Sequence, residues 1–160
     1  MQLNATMNLT SSKHPAVLTL ERFLPYRLSI LSNRISGVIA ETYKDKFALS
    51  ITEWRIMAVL GEYPGASADE VSIKIQIEKS MVSRALQKLL ARHLVSRQLD
   101  VADRRRQNLS LTETGLEIYQ QIVPVSYDYE NLLQECFSKP ERELFDSLID
   151  RLYEHAQDIS

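Results

Sequence analysis

Glu78-Lys-Ser-Met-Val-Ser-Arg-Ala-Leu-Gln-Lys-Leu-Leu-Ala-Arg92 decides the fold of this 160-residue chain, together with Val95-Ser-Arg-Gln-Leu99, the charged tip Asp103-Arg-Arg-Arg106 and Gln107-Asn-Leu-Ser-Leu111. In the first piece Val82, Leu86 and Leu89 form a stripe at helical spacing, with Ser80, Ser83, Arg84, Gln87 and Lys88 largely off it. The two five-residue segments alternate in polarity and predict a β-hairpin with the arginines at its tip. From Lys74 to Arg106 there are nine Lys or Arg and three Asp or Glu, a net of +6, and the remaining residues carry a net of −8. The overall charge of −2 conceals this segregation. A basic helix followed by an arginine-tipped hairpin is the electrostatic footprint of a nucleic-acid-binding surface.

Upstream and downstream, helix starts are marked by one repeated signal. Ser50-x-x-Glu53, Ser67-x-x-Glu70 and Ser138-x-x-Glu141 each match a capping box, in which the hydroxyl accepts from the N3 amide and the carboxylate returns to the cap's own amide. Helices are expected from Ser50 to Leu60, ended by Tyr63-Pro-Gly65, from Ser67 to Ile75, and from Glu78 to Arg92. Thr112 is a candidate fourth cap. An apolar stripe through Leu20, Phe23, Leu24, Leu28, Leu31, Ile35, Val38 and Ile39 predicts a long first helix to about Tyr43, with Pro25 kinking or delaying its start. Beyond Thr112 helical periodicity resumes, bent at Pro124, and Leu144, Phe145, Leu148, Ile149 and Leu152 mark a last amphipathic helix. Terminal helices this apolar call for a second copy of the chain. The expected organisation is an N-terminal extension (1–17), a dimerisation helix (18–47), a DNA-binding module (48–112) and C-terminal dimerisation helices (113–160).

Composition narrows the class. No run is long and apolar enough to span a bilayer, and residues 1–13 lack the pattern of a secretory signal, so a cytoplasmic protein without membrane partners is expected. Cys136 is the single cysteine, expected to be a buried or half-buried inert thiol, and His14, His93 and His155 fall on separate elements, so no metal site or cofactor is expected. No phosphate loop, nucleophile elbow or catalytic triad spacing is present, which argues against an enzyme.

Two short helices, a tight turn and a hairpin follow the order of a winged helix-turn-helix, in a mainly α fold with a small β-hairpin wing and a domain-intertwined homodimer made through the N- and C-terminal helices. In that arrangement the second helix enters the major groove and the wing lies on phosphates or in the minor groove. Ser80 and Ser83 are placed for bases or phosphates, Arg84 for a bidentate guanine contact, and Gln87 for adenine. Lys79, Lys88 and Arg92 suit phosphates. Arg105 is the candidate for minor-groove insertion, Arg104 and Arg106 are tethers, and Asp103 holds a neighbouring arginine. Two-fold symmetry then requires a near-palindromic operator in double-stranded DNA. A winged-helix module used for protein contacts is the competing reading.

Ser67-Ala-Asp-Glu-Val, Glu78-Lys-Ser-Met-Val-Ser-Arg-Ala-Leu, Leu94-Val-Ser-Arg and Asp103-Arg-Arg-Arg running into Leu109-Ser-Leu-Thr-Glu-Thr-Gly115 resemble the MarR (multiple antibiotic resistance regulator) family of bacterial transcription factors. The resemblance implies a homodimeric winged-helix repressor whose wing signature falls on Asp103 and Arg105. His93 and Gln76 stand where the family commonly has glycine. The family also implies an effector cleft, lined here by Arg34 for a carboxylate, by Ser29 and Asn33 as polar partners, and by Trp54, Met57 and Tyr119 as walls. Arg34 serves equally well in an ion pair, and Trp54 is expected first in the core, from which it can also form a wall. The opening Phe23-Leu-Pro-Tyr-Arg-Leu-Ser-Ile-Leu-Ser-Asn-Arg-Ile-Ser36 is similar to regulators of aromatic-acid breakdown, which implies a small aromatic acid as effector, a hydroxycinnamate or its coenzyme A thioester. The peroxide-sensing branch carries a cysteine near the start of this helix, and this chain has none there.

Overall fold

In the computed structural model residues 17–100 and 107–159 are described. The chain divides at Gly37/Val38 into two compact units. The first holds a single 3-10 turn, Leu20–Arg22, and the opening of helix α1 (Leu24–Phe47). Pro25 lies in the first turn of α1, where its missing N–H has no intrahelical partner to lose, so it delays the helix without kinking it.

The second unit contains the rest of α1, then α2 (Ile51–Glu62), α3 (Ala68–Ile75), α4 (Lys79–Ala91), β1 (Val95–Leu99), β2 (Gln107–Leu111), α5 (Glu113–Gln134) and α6 (Lys139–Asp158). The strands pair antiparallel from Val95↔Leu111 to Leu99↔Gln107. Its core is built from Tyr43 and Leu49, from Ile56, Met57 and Leu60 of α2, from Val71 of α3, from Val82, Leu86 and Leu89 of α4, and from Leu94, Val95, Leu109 and Ile122. This is a mainly helical winged helix-turn-helix with a two-stranded wing.

Local chemistry sets the boundaries. At Ser50 the backbone amide donates to the Glu53 carboxylate at 2.7 Å and the Glu53 amide donates to the Ser50 hydroxyl at 3.2 Å. Ser67 and Glu70 repeat this at 2.7 and 3.3 Å. At Ser138 the Glu141 carboxylate accepts from both the amide and the hydroxyl, each at 2.7 Å. Those bonds stabilise the carboxylate and hold the Glu141 pKa below its ordinary value. The Thr112 hydroxyl caps α5 by accepting from the Gly115 amide at 3.0 Å, and donates to the His93 carbonyl at 2.6 Å. α5 runs through Pro124, where the i−4 carbonyl loses its amide partner.

The helix ends are as informative. Gln76 and His93 both adopt left-handed backbone, with φ of 53° and 55°. Each closes a Schellman motif: Gln76 N–H donates to Ile73 O and Ile77 N–H to Ser72 O, while His93 N–H donates to Leu90 O and Leu94 N–H to Leu89 O. These are the glycine-type positions anticipated from sequence, occupied by side chains at a cost of about 1 kcal/mol each. Gln76 offsets some of it by donating from its amide to the Ile73 carbonyl at 2.7 Å. Ala48, at φ 51°, is a third such residue, and the sequence did not announce it. Gly65, at φ 89°, lets the α2–α3 turn approach β2, so that Gly65 N–H donates to Leu109 O at 2.8 Å and Leu109 N–H to Ala66 O at 3.0 Å.

α6 buries none of its residues: Leu144, Phe145, Leu148, Ile149, Leu152 and Tyr153 are all exposed. Phe137 stacks on Phe145 with centroids 5.3 Å apart at the start of the helix. No helix among the described residues is long and apolar enough to cross a membrane. Cys136, expected to be buried or half-buried, is exposed, because it lies past the end of α5 where no core element covers it.

Candidate nucleic-acid interface

α4 is amphipathic in the sense the site requires. Val82, Ala85, Leu86 and Leu89 are buried, and Lys79, Ser80, Ser83, Arg84, Gln87 and Lys88 are exposed. Burying one stripe at i, i+3, i+4 and i+7 forces the polar side chains outward. The turn that aims this helix is locked from within: the buried Ser72 hydroxyl donates to the Ile77 carbonyl at 2.6 Å, fixing the α3–α4 connection. Lys79 pairs with Asp69 of α3 at 2.9 Å, with both side chains about 70% exposed. A pair so exposed contributes little to stability, and the ammonium remains available to exchange onto a phosphate.

Arg92 has partners within the fold. Its guanidinium donates from Nη1 to the Ala48 carbonyl at 2.9 Å and from Nη2 to the Phe47 carbonyl at 2.6 Å. These bonds form because the last carbonyls of α1 have no partners in their own helix.

The wing leaves the core at Val95 and Leu109 and carries Arg97, Gln98 and Leu99 into solvent on β1. At its far end the Asn108 side-chain amide donates to the Asp100 carboxylate at 2.9 Å, tying the strands just below the tip. Asp103, Arg104, Arg105 and Arg106 lie outside the described residues. Sequence reasoning counted Arg97 only as charge and overlooked Met81, an apolar side chain half-exposed on α4. Its position next to the Val82 stripe was the available signal.

Of the residues expected to line an effector cleft, the structure brings Trp54 and Tyr119 together, with centroids 5.9 Å apart, and places Tyr43 on the other neighbouring contact of Trp54 at 5.8 Å. Burial pushes the Tyr43 phenol up from its ordinary pKa, with Arg55 pulling weakly the other way. Met57 is fully buried and packs in the core. Ser29, Asn33 and Arg34 belong to the first unit, all exposed, and Arg34 makes no ion pair with a described residue. No cluster of His, Cys, Asp and Glu among the described residues could hold a metal ion.

A buried helix-turn-helix scaffold, an outward polar and basic second helix and a two-stranded wing define a winged-helix module of the kind used by transcriptional regulators. The MarR family model matches residues 49–106, which take in α2 to β1 and end just before β2. A MarR/EmrR family transcriptional regulator from Acinetobacter sp. ADP1 has 26% identity, with 88% of this chain and 99% of that one covered at a TM-score of 0.81. A MarR protein from Peptoclostridium difficile has 22% identity, with 92% and 95% covered at a TM-score of 0.80. The Staphylococcus aureus MepR of a MepR–DNA complex shares the fold at 19% identity, with 83% and 98% covered at a TM-score of 0.75. No curated protein sequence is significantly similar to this chain. The family model thus matches part of the winged-helix module, and the similar structures share the fold.

Proposed function

We propose that this protein is a cytoplasmic, non-enzymatic repressor of the MarR type. It binds a near-palindromic operator as a homodimer and is released by a small aromatic acid, of the hydroxycinnamate class or its coenzyme A thioester. The observation that carries the DNA reading is the outward face of α4, where Ser80, Ser83, Arg84, Gln87 and Lys88 are exposed together above a fully buried stripe. In this reading α4 enters the major groove: Arg84 reads a guanine edge, Gln87 an adenine, Ser80 and Ser83 contact bases or phosphates, and Lys79 and Lys88 neutralise phosphates. Arg105 enters the minor groove, flanked by Arg104 and Arg106 and steadied by Asp103. The solved complex of the similarly folded MepR with DNA supports the DNA-binding reading. The exposed apolar residues of α1 and α6 supply the surface for a second copy.

The aromatic row of Tyr43, Trp54 and Tyr119 supports the effector reading; Arg34, Ser29 and Asn33 are the residues that the sequence alone proposes for a carboxylate. In the proposed division of labour, residues 18–47 and 113–160 assemble the dimer, residues 48–112 bind DNA, and residues 1–17 form an extension.

A mobility-shift titration on the upstream intergenic DNA of the protein's own gene, repeated with hydroxycinnamates, their thioesters and benzoates, tests both parts. Salt-sensitive specific binding released by one class supports the whole reading. Binding indifferent to all of them removes the effector class and leaves the DNA role. Absence of any shift moves the protein to a protein-interaction role.

A further inference from the structure

The C-terminal end of α4 is the point where the longest helices of the fold meet the DNA-reading one. Three consecutive residues make the connection. Arg92 spans the Phe47 and Ala48 carbonyls at the end of α1 with two separate nitrogens, at 2.6 and 2.9 Å. The His93 carbonyl accepts from the Thr112 hydroxyl at 2.6 Å, and the Leu94 carbonyl from the Thr112 amide at 3.1 Å, so both bind the start of α5. Gly115 packs directly on the Leu94 carbonyl.

We infer that Arg92 is a positioning residue for the recognition helix, setting the angle of α4 against α1 through the Phe47 and Ala48 carbonyls instead of contacting DNA. This rests on the DNA-binding reading above. The chemistry favours arginine: its planar fork offers parallel N–H groups to two adjacent acceptors, whereas a lysine ammonium is a point donor without that preset geometry. A cation at this place also meets the partial negative charge of the α1 C-terminus. Ala48, held at φ 51°, is part of the turn that presents both carbonyls. A change in the angle between α1 and α5 therefore reaches α4 through residues 92–94, which gives a mechanical route for any signal carried by the long helices.

The test compares the parent with Arg92→Lys and Arg92→Gln on duplex DNA from the gene's own upstream region, across a salt series, with amide hydrogen exchange on the free proteins. If Arg92 positions the helix, both variants weaken binding by a similar factor, roughly 2- to 30-fold, and their log–log salt plots run parallel to the parent's. Exchange at Ala48 and Leu49 then speeds up in both. If Arg92 touches a phosphate, Arg92→Lys binds like the parent and Arg92→Gln flattens the salt slope by about 0.9 for each phosphate no longer neutralised, which overturns the inference. Unchanged exchange at Ala48 and Leu49 also overturns it. A parent that shifts no duplex refutes the DNA reading itself, whereas a parent that binds while Arg92→Lys binds equally well refutes only the role of Arg92.

Discussion

Gly115→Ala should destabilise the protein, against the ordinary rule that alanine improves a helix. Alanine in place of glycine within a helix gains up to about 1 kcal/mol. Here the new methyl would fall inside the van der Waals envelope of the Leu94 carbonyl oxygen, 2.9 Å from the carbonyl carbon and 3.3 Å from Cα. All three are backbone atoms, and Leu94 is buried, so no side chain can swing aside to make room. Overpacking of this kind costs about 1–3 kcal/mol. Moving α5 away would also strain the Thr112 N–H bond to the Leu94 carbonyl, 3.1 Å long, which contributes about 1 kcal/mol. The net loss is about 1–3 kcal/mol, and at roughly 2–4 °C per kcal/mol for a chain of this size the melting temperature should fall by about 2–12 °C. Thermal melts followed by circular dichroism at one fixed protein concentration would read this, since assembly makes the midpoint concentration-dependent. Gly37→Ala, where a methyl meets nothing within 4 Å, is the control and should melt at or slightly above the parent. A Gly115→Ala protein as stable as the parent would refute the close packing of α5 on the end of α4.

Other outcomes follow from the same geometry. Arg84→Ala should lose about 1–3 kcal/mol of discrimination at one base pair per half-site, read by competition between operator variants, while Arg105→Ala should weaken binding to all duplexes alike. Gly61→Ala places a methyl against the Tyr119 ring, 2.6 Å from Cε2, so it should displace that ring from Trp54 and change the tryptophan fluorescence with the fold retained. Glu141, whose folded pKa is depressed by its two bonds to Ser138, should support α6 above its unfolded value near 4.5 and lose that support as pH falls through the lower folded value. A carboxyl titration by NMR would show the shift, and Ser138→Ala, which removes the hydroxyl and keeps the amide, should reduce it without abolishing it.

Much of the architecture could be read along the chain because its determinants are local. The Ser50, Ser67 and Ser138 boxes and the Thr112 cap are settled within three residues, and the alternation in β1 and β2 and the stripe of α4 are settled within one element. The left-handed ends at Gln76 and His93 were pointed to only by the family resemblance, in which glycine commonly stands at both places. The outward set on α4 followed from the buried set. What the linear order could not decide were pairings between residues far apart. Arg92 looks the same in sequence whether its partner is a phosphate or a carbonyl; its partners lie 44 and 45 residues upstream. Met57 carries no sign of being sealed in the core, Cys136 none of being left in solvent, and Ala48 none of its left-handed turn. The pairing of Gly65 and Ala66 with Leu109 likewise exists only once β2 is in place. Local hydrogen bonding and periodic burial determine where elements begin, end and face. Which polar group meets which, and which apolar residue is covered, depends on how those elements pack, and that was decided by the tertiary structure alone.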